Sequence, residues 1–189
     1  MAEMKAVISD FLQALDDHLA GQIQPGDHLD LYQLGGAVLV MHYESLRVTK
    51  DFDVVDLPKS PLMQNALAAF GKETRNAREL GLYLDAVNPS LPPLPSGYQG
   101  RSEEIKGNWK VIRLWRLDPY DLIISKIRVF RTWDQADIRH LLNELEIRGQ
   151  PLNPVLLRER FESAFLWYTE GDSYRDDAME NLERVMKEM

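Results

Sequence analysis

The chain has 189 residues, 44% of them hydrophobic and 28% charged, which is the composition of a globular protein of one domain, or of one domain with a helical extension. With 22 basic against 30 acidic residues its net charge is −8, which argues against a protein that coats nucleic acid by charge alone and leaves only a local basic groove. Cysteine is absent, and with it disulfide frameworks, thiolate zinc sites and cysteine nucleophiles.

Apolar residues recur at helical spacing over residues 2–19 (Ala6, Val7, Phe11, Leu12, Leu15, Leu19), which predicts an amphipathic helix rather than a signal peptide. No run reaches the ~18 apolar residues of a membrane span, so a soluble, cytoplasmic protein without membrane contact is expected. Gly21 and Pro25-Gly26 break the first helix. Leu29 to Leu34 alternates as a short strand, Gly35-Gly36 follows, and Ala37 to Tyr43 is apolar enough for a buried helix. Leu46 to Leu57 is expected to be a second strand, rich in residues that suit a pleated surface. Period-two geometry would then place Arg47, Thr49, Asp51 and Asp53 on one face, and Val48, Lys50, Phe52 and Val54 on the other.

Pro58 and Pro61 end that strand, and a helix is expected over residues 62–71. Gly81 to Val87 predicts a third strand carrying Asp85, and the proline- and glycine-rich residues 88–107 predict an irregular loop. Trp109 to Leu117 predicts a fourth strand. Asp118-Pro119 opens a helix expected to reach Arg131, by the cap-then-proline rule. Helices near 134–148, 153–169 and 173–188 follow, with Gly149 and Gly171 as stops. The fold class is therefore α+β, with an α+β core over residues 1–117 and a helical part over 118–189 expected to pack on it.

The informative chemistry lies on the acidic strand. Two carboxylates one residue apart on a strand project in parallel and repel each other unless a cation lies between them. Mg²⁺ (or Mn²⁺) suits such a pair, because it takes one or two carboxylates and completes its shell with phosphate oxygens and water. Upstream, Gly35 and Gly36 sit where backbone N–H groups and a helix N-terminus can approach a phosphate. Asp85 offers a third carboxylate. Three acids beside an anion site suggest two-metal phosphoryl or nucleotidyl transfer.

The stretch LGGAVLVMHYESLRVTKDFDVV resembles the nucleotidyltransferase superfamily signature, a Gly-Gly or Gly-Ser turn followed by Asp-x-Asp. Its form with Arg47, Thr49, Asp51 and Asp53 is similar to bacterial AbiEii-like toxins and related uncharacterised branches. So is LDPYDLIISKIRVFRTWDQADIRHLL, with Asp121, Lys126, Arg131, Asp134 and Asp137. The resemblance implies a mixed sheet with flanking helices, two Mg²⁺ ions and an NTP donor. In it Gly35 and Gly36 hold the triphosphate and Asp51 and Asp53 bind metal. Asp85 completes the metal site or acts as base, and Lys126 reaches the triphosphate. Asp134 or Asp137 orients Lys126 or Arg131, and Asp121 supports the same helix. Gly36 stands where many active relatives have Ser, which removes one side-chain phosphate contact.

The expected activity is Mg²⁺-dependent transfer of NMP from NTP to an RNA or protein acceptor, in a protein that is toxic beside a neighbouring antitoxin. Two alternatives stand beside it: an inactive binding or oligomerisation module of the same fold, and phosphodiester hydrolysis by the same carboxylates. His18, His28, His42 and His140 lack the spacing of a zinc site. The four tryptophans are expected in the core rather than as a base-stacking platform. Lys126, Arg128 and Arg131 are expected to share one helix as a positive wall. The C-terminal segment is expected to pack on the core or on a second copy.

Overall fold

The computed structural model describes residues 2–23, 26–55, 60–88, 93–168 and 172–189. The expected breaks at Pro25, Pro58 and Gly171 lie outside the described residues, as do the expected strand end at 56–57 and the last residue of the helix expected to reach 169. The chain divides into two units, Met1–Pro89 with Ser102–Leu117, and Ser90–Arg101 with Asp118–Met189. Among the described residues no helix is long and apolar enough to cross a membrane.

The first unit contains α1 (Ala2–Ala20), β1 (Leu29–Gln33), α2 (Gly35–His42), β2 (Asp51–Val55), α3 (Pro61–Phe70), α4 (Arg75–Leu80), β3 (Tyr83–Val87), β4 (Glu103–Ile105) and β5 (Ile112–Arg116). The strands form one mixed sheet in the order β3-β2-β1-β5-β4. Parallel pairs are β1 with β5 and β2 with β3; antiparallel pairs are β1 with β2 and β4 with β5.

Strand alternation gives the sheet two chemically distinct faces. Leu29, Leu31, Phe52, Val54, Leu84, Ile112 and Leu114 are buried and join the core with α1 and α3. Phe11 of α1 meets Phe52 and Phe70 at ring-centroid distances of 5.7 Å each. Ile8, Phe11, Leu12, Leu15 and Leu19 line the buried stripe of α1, each worth about 1.5–3 kcal/mol of burial. The intervening residues, Asp30, Tyr32, Asp51, Asp53, Tyr83, Asp85, Arg113 and Trp115, share the other face by register. Asp16 is a fully buried polar side chain, and it accepts N–H bonds from Lys110, Val111 and Ile112 at 2.8, 2.8 and 2.9 Å. These bonds tie α1 to the start of β5 and satisfy a carboxylate that would otherwise be costly to bury.

Several expected boundaries move, for local reasons. β2 starts at Asp51 rather than Leu46, because residues 46–50 lie outside the paired ladder with Leu46 and Val48 exposed. Arg47 and Thr49 therefore precede the strand instead of lying in it. The helix expected from Ala37 begins at Gly35. Pro61 opens α3 behind a Ser60 cap, whose hydroxyl accepts the Met63 N–H. α4 has little apolar period, so its signals are a Thr74 cap and Gly81 at φ +70°. The expected loop over 88–107 contains β4 and, in the second unit, α5 (Tyr98–Arg101).

The second unit adds α6 (Pro119–Ile127), α7 (Thr132–Ile147), α8 (Pro154–Ala164) and α9 (Ser173–Met186). Asp118 caps α6 by accepting the Tyr120 N–H at 2.9 Å, with Pro119 in the first turn. α6 stops at Ile127 rather than Arg131, because Phe130 at φ +49° turns the chain. Arg131 then becomes the N-cap of α7, its N–H donating to Asp134 Oδ2 at 3.0 Å. α8 is capped by Asn153 and ends at Ala164. α6 packs against α7, α8 and α9, with Leu122, Ile123, Ile138, Phe161 and Leu182 buried. The tryptophans depart from their expected place: Trp109 and Trp115 are half-buried, and Trp133 and Trp167 are exposed.

Candidate functional site

β1 runs directly into α2, and the crossover is built on glycine. Gly35 has φ +72°, a region that side chains with Cβ rarely adopt. A Cβ at this position would lie 1.8 Å from Asp53 Oδ2. The neighbouring Gly36 is buried, and its Cβ would stand 3.1 Å from Arg47 Nε and 3.3 Å from Thr49 Oγ1. The two glycines let β2 and the segment before it press three polar side chains onto the N-terminus of α2. Its partial positive charge favours the Asp53 carboxylate there.

Thr49 is buried, and its hydroxyl is placed to donate to Asp51 Oδ1 at 2.5 Å, with the Asp51 carbonyl at 3.2 Å as the competing acceptor. It fixes the rotamer of Asp51 as it enters the strand. Asp51 and Asp53 then project from the same face of β2, opposite to buried Phe52. In the β2–β3 register Asp51 faces Tyr83 and Asp53 faces Asp85. The structure thus brings Gly35, Gly36, Arg47, Thr49, Asp51, Asp53 and Asp85 to the end of one sheet, although Arg47 and Thr49 arrive from a non-strand segment.

Tyr83 is a site neighbour that the motif alone did not single out. Its phenol is pushed above its ordinary pKa, first by burial and then by the negative charges of Asp51, Asp85 and Asp53. The signal was present in GLYLDAV, since Tyr83 lies two residues before Asp85 and shares its face.

The same geometry bears on metal binding. Among the described residues no three His, Asp or Glu side chains form a preassembled metal cage. Mg²⁺ does not require one, because one or two carboxylates, phosphate oxygens and water complete its shell. A hydroxyl-oriented Asp51 beside Asp53 is a donor set that fits a hard divalent cation.

In the second unit Lys126 is nearly buried at 9% exposure, with Nζ 2.8 Å from Asp137 Oδ2 and 3.6 Å from Asp134 Oδ1. Asp134 serves twice, as the acid of the α7 cap and as a second partner of Lys126. Arg128 and Arg131 do not share a helix with Lys126 in a positive wall. Arg128 caps the end of α6 and lies over the Tyr174 ring at 4.5 Å, and Arg131 lies over Trp133 at 5.4 Å. Asp121 is fully buried and accepts two parallel bonds from Arg101, Nε to Oδ2 at 3.1 Å and Nη2 to Oδ1 at 3.1 Å. Burial pushes its pKa up to about 6 against the opposing pull of Arg101. Arg101 comes from the segment expected to be irregular, so sequence spacing gave no sign of this partner.

A mixed sheet whose first strand turns through Gly-Gly into a helix, with Asp-x-Asp on the adjoining strand, is the arrangement that the nucleotidyltransferase resemblance implies. Residues 10–186 match the family described as a nucleotidyltransferase of unknown function (DUF6036), and the chain belongs to that family. No curated protein and no solved structure matches it.

Proposed function

We propose that this nucleotidyltransferase moves a nucleoside monophosphate from an NTP to a hydroxyl on an RNA or protein acceptor, with Asp51 and Asp53 holding Mg²⁺. The observation that carries this reading is the packing of Asp53 on Gly35, beside an Asp51 oriented by Thr49. Bound Mg²⁺ would supply charge neutralisation on the triphosphate and a lowered pKa for an attacking hydroxyl. In the transfer, the acceptor oxygen forms a bond to the α-phosphorus. The bond from that phosphorus to the bridging oxygen breaks, and pyrophosphate leaves with its electron pair. Asp85, exposed on the neighbouring strand, suits the role of base that takes the hydroxyl proton. Arg47 brings a guanidinium to the first turn of α2, where it suits the triphosphate.

A toxin role with an antitoxin partner rests on the AbiEii-like motif pattern alone. Incubation with each α-labelled NTP and total RNA or protein tests the chemistry. Mg²⁺-dependent label transfer, lost in Asp53→Asn, is expected. Release of labelled nucleotide without an acceptor would assign hydrolysis instead. No turnover of any NTP, with the fold intact, would make the chain an inactive binding module.

A further inference from the structure

At the opposite end of β1 from Gly35, the connection between β4 and β5 borders a solvent-open pocket of about 180 Å³. Its walls include Lys106, Lys110, Arg113 and His28, with Glu104 as the one acid among them. This balance is the reverse of the whole chain, whose net charge is −8. Two of the cations already have partners, exposed Lys106 with half-buried Glu104, and exposed Lys110 with exposed Asp17 at 2.8 Å. Exposed pairs of this kind are worth little and exchange readily for a more highly charged ligand. Arg113 is exposed, and among the described residues it makes no ion pair. The backbone N–H groups of residues 110–112 are consumed by Asp16, so the cavity offers side-chain donors. Trp109 forms an apolar wall and is braced by Gly107, where a Cβ would come within 2.6 Å of the indole.

We propose that this cavity binds a phosphate group, carried either by a nucleic-acid strand or by a small free phosphate compound. Guanidinium and ammonium groups around a concave site match phosphate oxygens by charge and by donor geometry. The cavity is separate from the carboxylate site. Arg113 sits on the same sheet face as Asp53, two strands away and four residues down the register, about 16 Å distant by ordinary strand spacing. The inference does not depend on the proposed transfer activity.

Calorimetric titration of the full chain in EDTA, first with inorganic pyrophosphate and then with a single-stranded RNA of about a dozen nucleotides, tests it. EDTA removes the cation on which the carboxylate site relies. Binding should weaken with added salt, and by about tenfold in Arg113→Ala and in Lys106→Ala, and should be unchanged in Asp53→Asn. Both cationic side chains are exposed, so neither variant threatens the fold. RNA binding with the same Arg113 dependence would assign the phosphate to a strand. Pyrophosphate binding without RNA binding would assign it to a small compound. No binding of either probe, or binding indifferent to both cationic substitutions, would overturn the proposal.

Discussion

Replacing Gly35 by alanine should damage the fold and the candidate site together. The added methyl carbon would stand 1.8 Å from Asp53 Oδ2, 2.7 Å from its Cγ and 3.0 Å from its Cβ. Rotating the carboxylate away relieves the first two contacts, at the expense of the geometry that packs Asp53 on α2. The third remains. Backbone strain adds about 1–2 kcal/mol, because φ is +72° where an L side chain crowds the carbonyl oxygen. Overpacking adds about 1–3 kcal/mol. The sum is a loss of about 2–5 kcal/mol, together with loss of Mg²⁺-dependent nucleotide binding. Gly36→Ala is the matched control. Its Cβ would touch the ends of Arg47 and Thr49 at 3.1–3.3 Å, at a backbone conformation that alanine accepts. Better helix propensity offsets part of that crowding, so a change under about 1 kcal/mol is expected. Urea unfolding of the two variants measures both values. Gly35→Ala as stable as Gly36→Ala, with nucleotide binding intact, would refute the close packing of Asp53 on the turn.

Asp16→Ala leaves the buried N–H groups of Val111 and Ile112 and the half-buried one of Lys110 without their acceptor and should cost about 3 kcal/mol in denaturant unfolding. Lys126→Met leaves Asp137 and Asp134 facing an apolar side chain and should destabilise by about 3–5 kcal/mol; Lys126→Met with Asp137→Met should recover much of this in a double-mutant cycle. Asp121 holds its proton in the folded chain up to about pH 6, against an ordinary value of 3.8. Across that window the folded state binds more protons than the unfolded state, so stability falls as pH rises, by up to about 3 kcal/mol from this group. Asp121→Asn should flatten that slope, and a carboxyl titration midpoint below 4 in an NMR experiment would contradict it.

Much of the architecture was legible because hydrophobic periodicity is a local signal. The amphipathic period of α1, the alternation of β1 and the Asp118-Pro119 start of α6 each specify their element within a few residues. The candidate site was legible for the same reason, since Gly35-Gly36 and Asp51-x-Asp53 are short patterns with their own chemistry. Non-local facts were hidden. The true start of β2 depends on where β1 and β3 stop offering partners, which no alternation within residues 46–57 reveals. The Arg101–Asp121 pair joins segments whose spacing carries no pattern. Lys126 was legible as a cation, but its burial between Asp134 and Asp137 depends on the turn at Phe130 that ends α6 early. The exposed Trp167, at 90% exposure, shows that residue type alone does not place a large ring in a core.

If Asp51 and Asp53 hold Mg²⁺ for an NTP at the N-terminus of α2, nucleotide and cation should stabilise the folded chain together. A thermal-unfolding series with each NTP, with and without Mg²⁺, on the native chain and on Asp51→Asn, tests it most directly. A ligand that binds only the folded state at a hundredfold excess over its Kd stabilises by about 2.7 kcal/mol. A shift of several degrees that requires Mg²⁺ and vanishes in Asp51→Asn is the predicted result. No shift with any NTP at millimolar concentration, or one that Asp51→Asn leaves unchanged, would mean that these carboxylates do not hold a Mg²⁺–NTP complex.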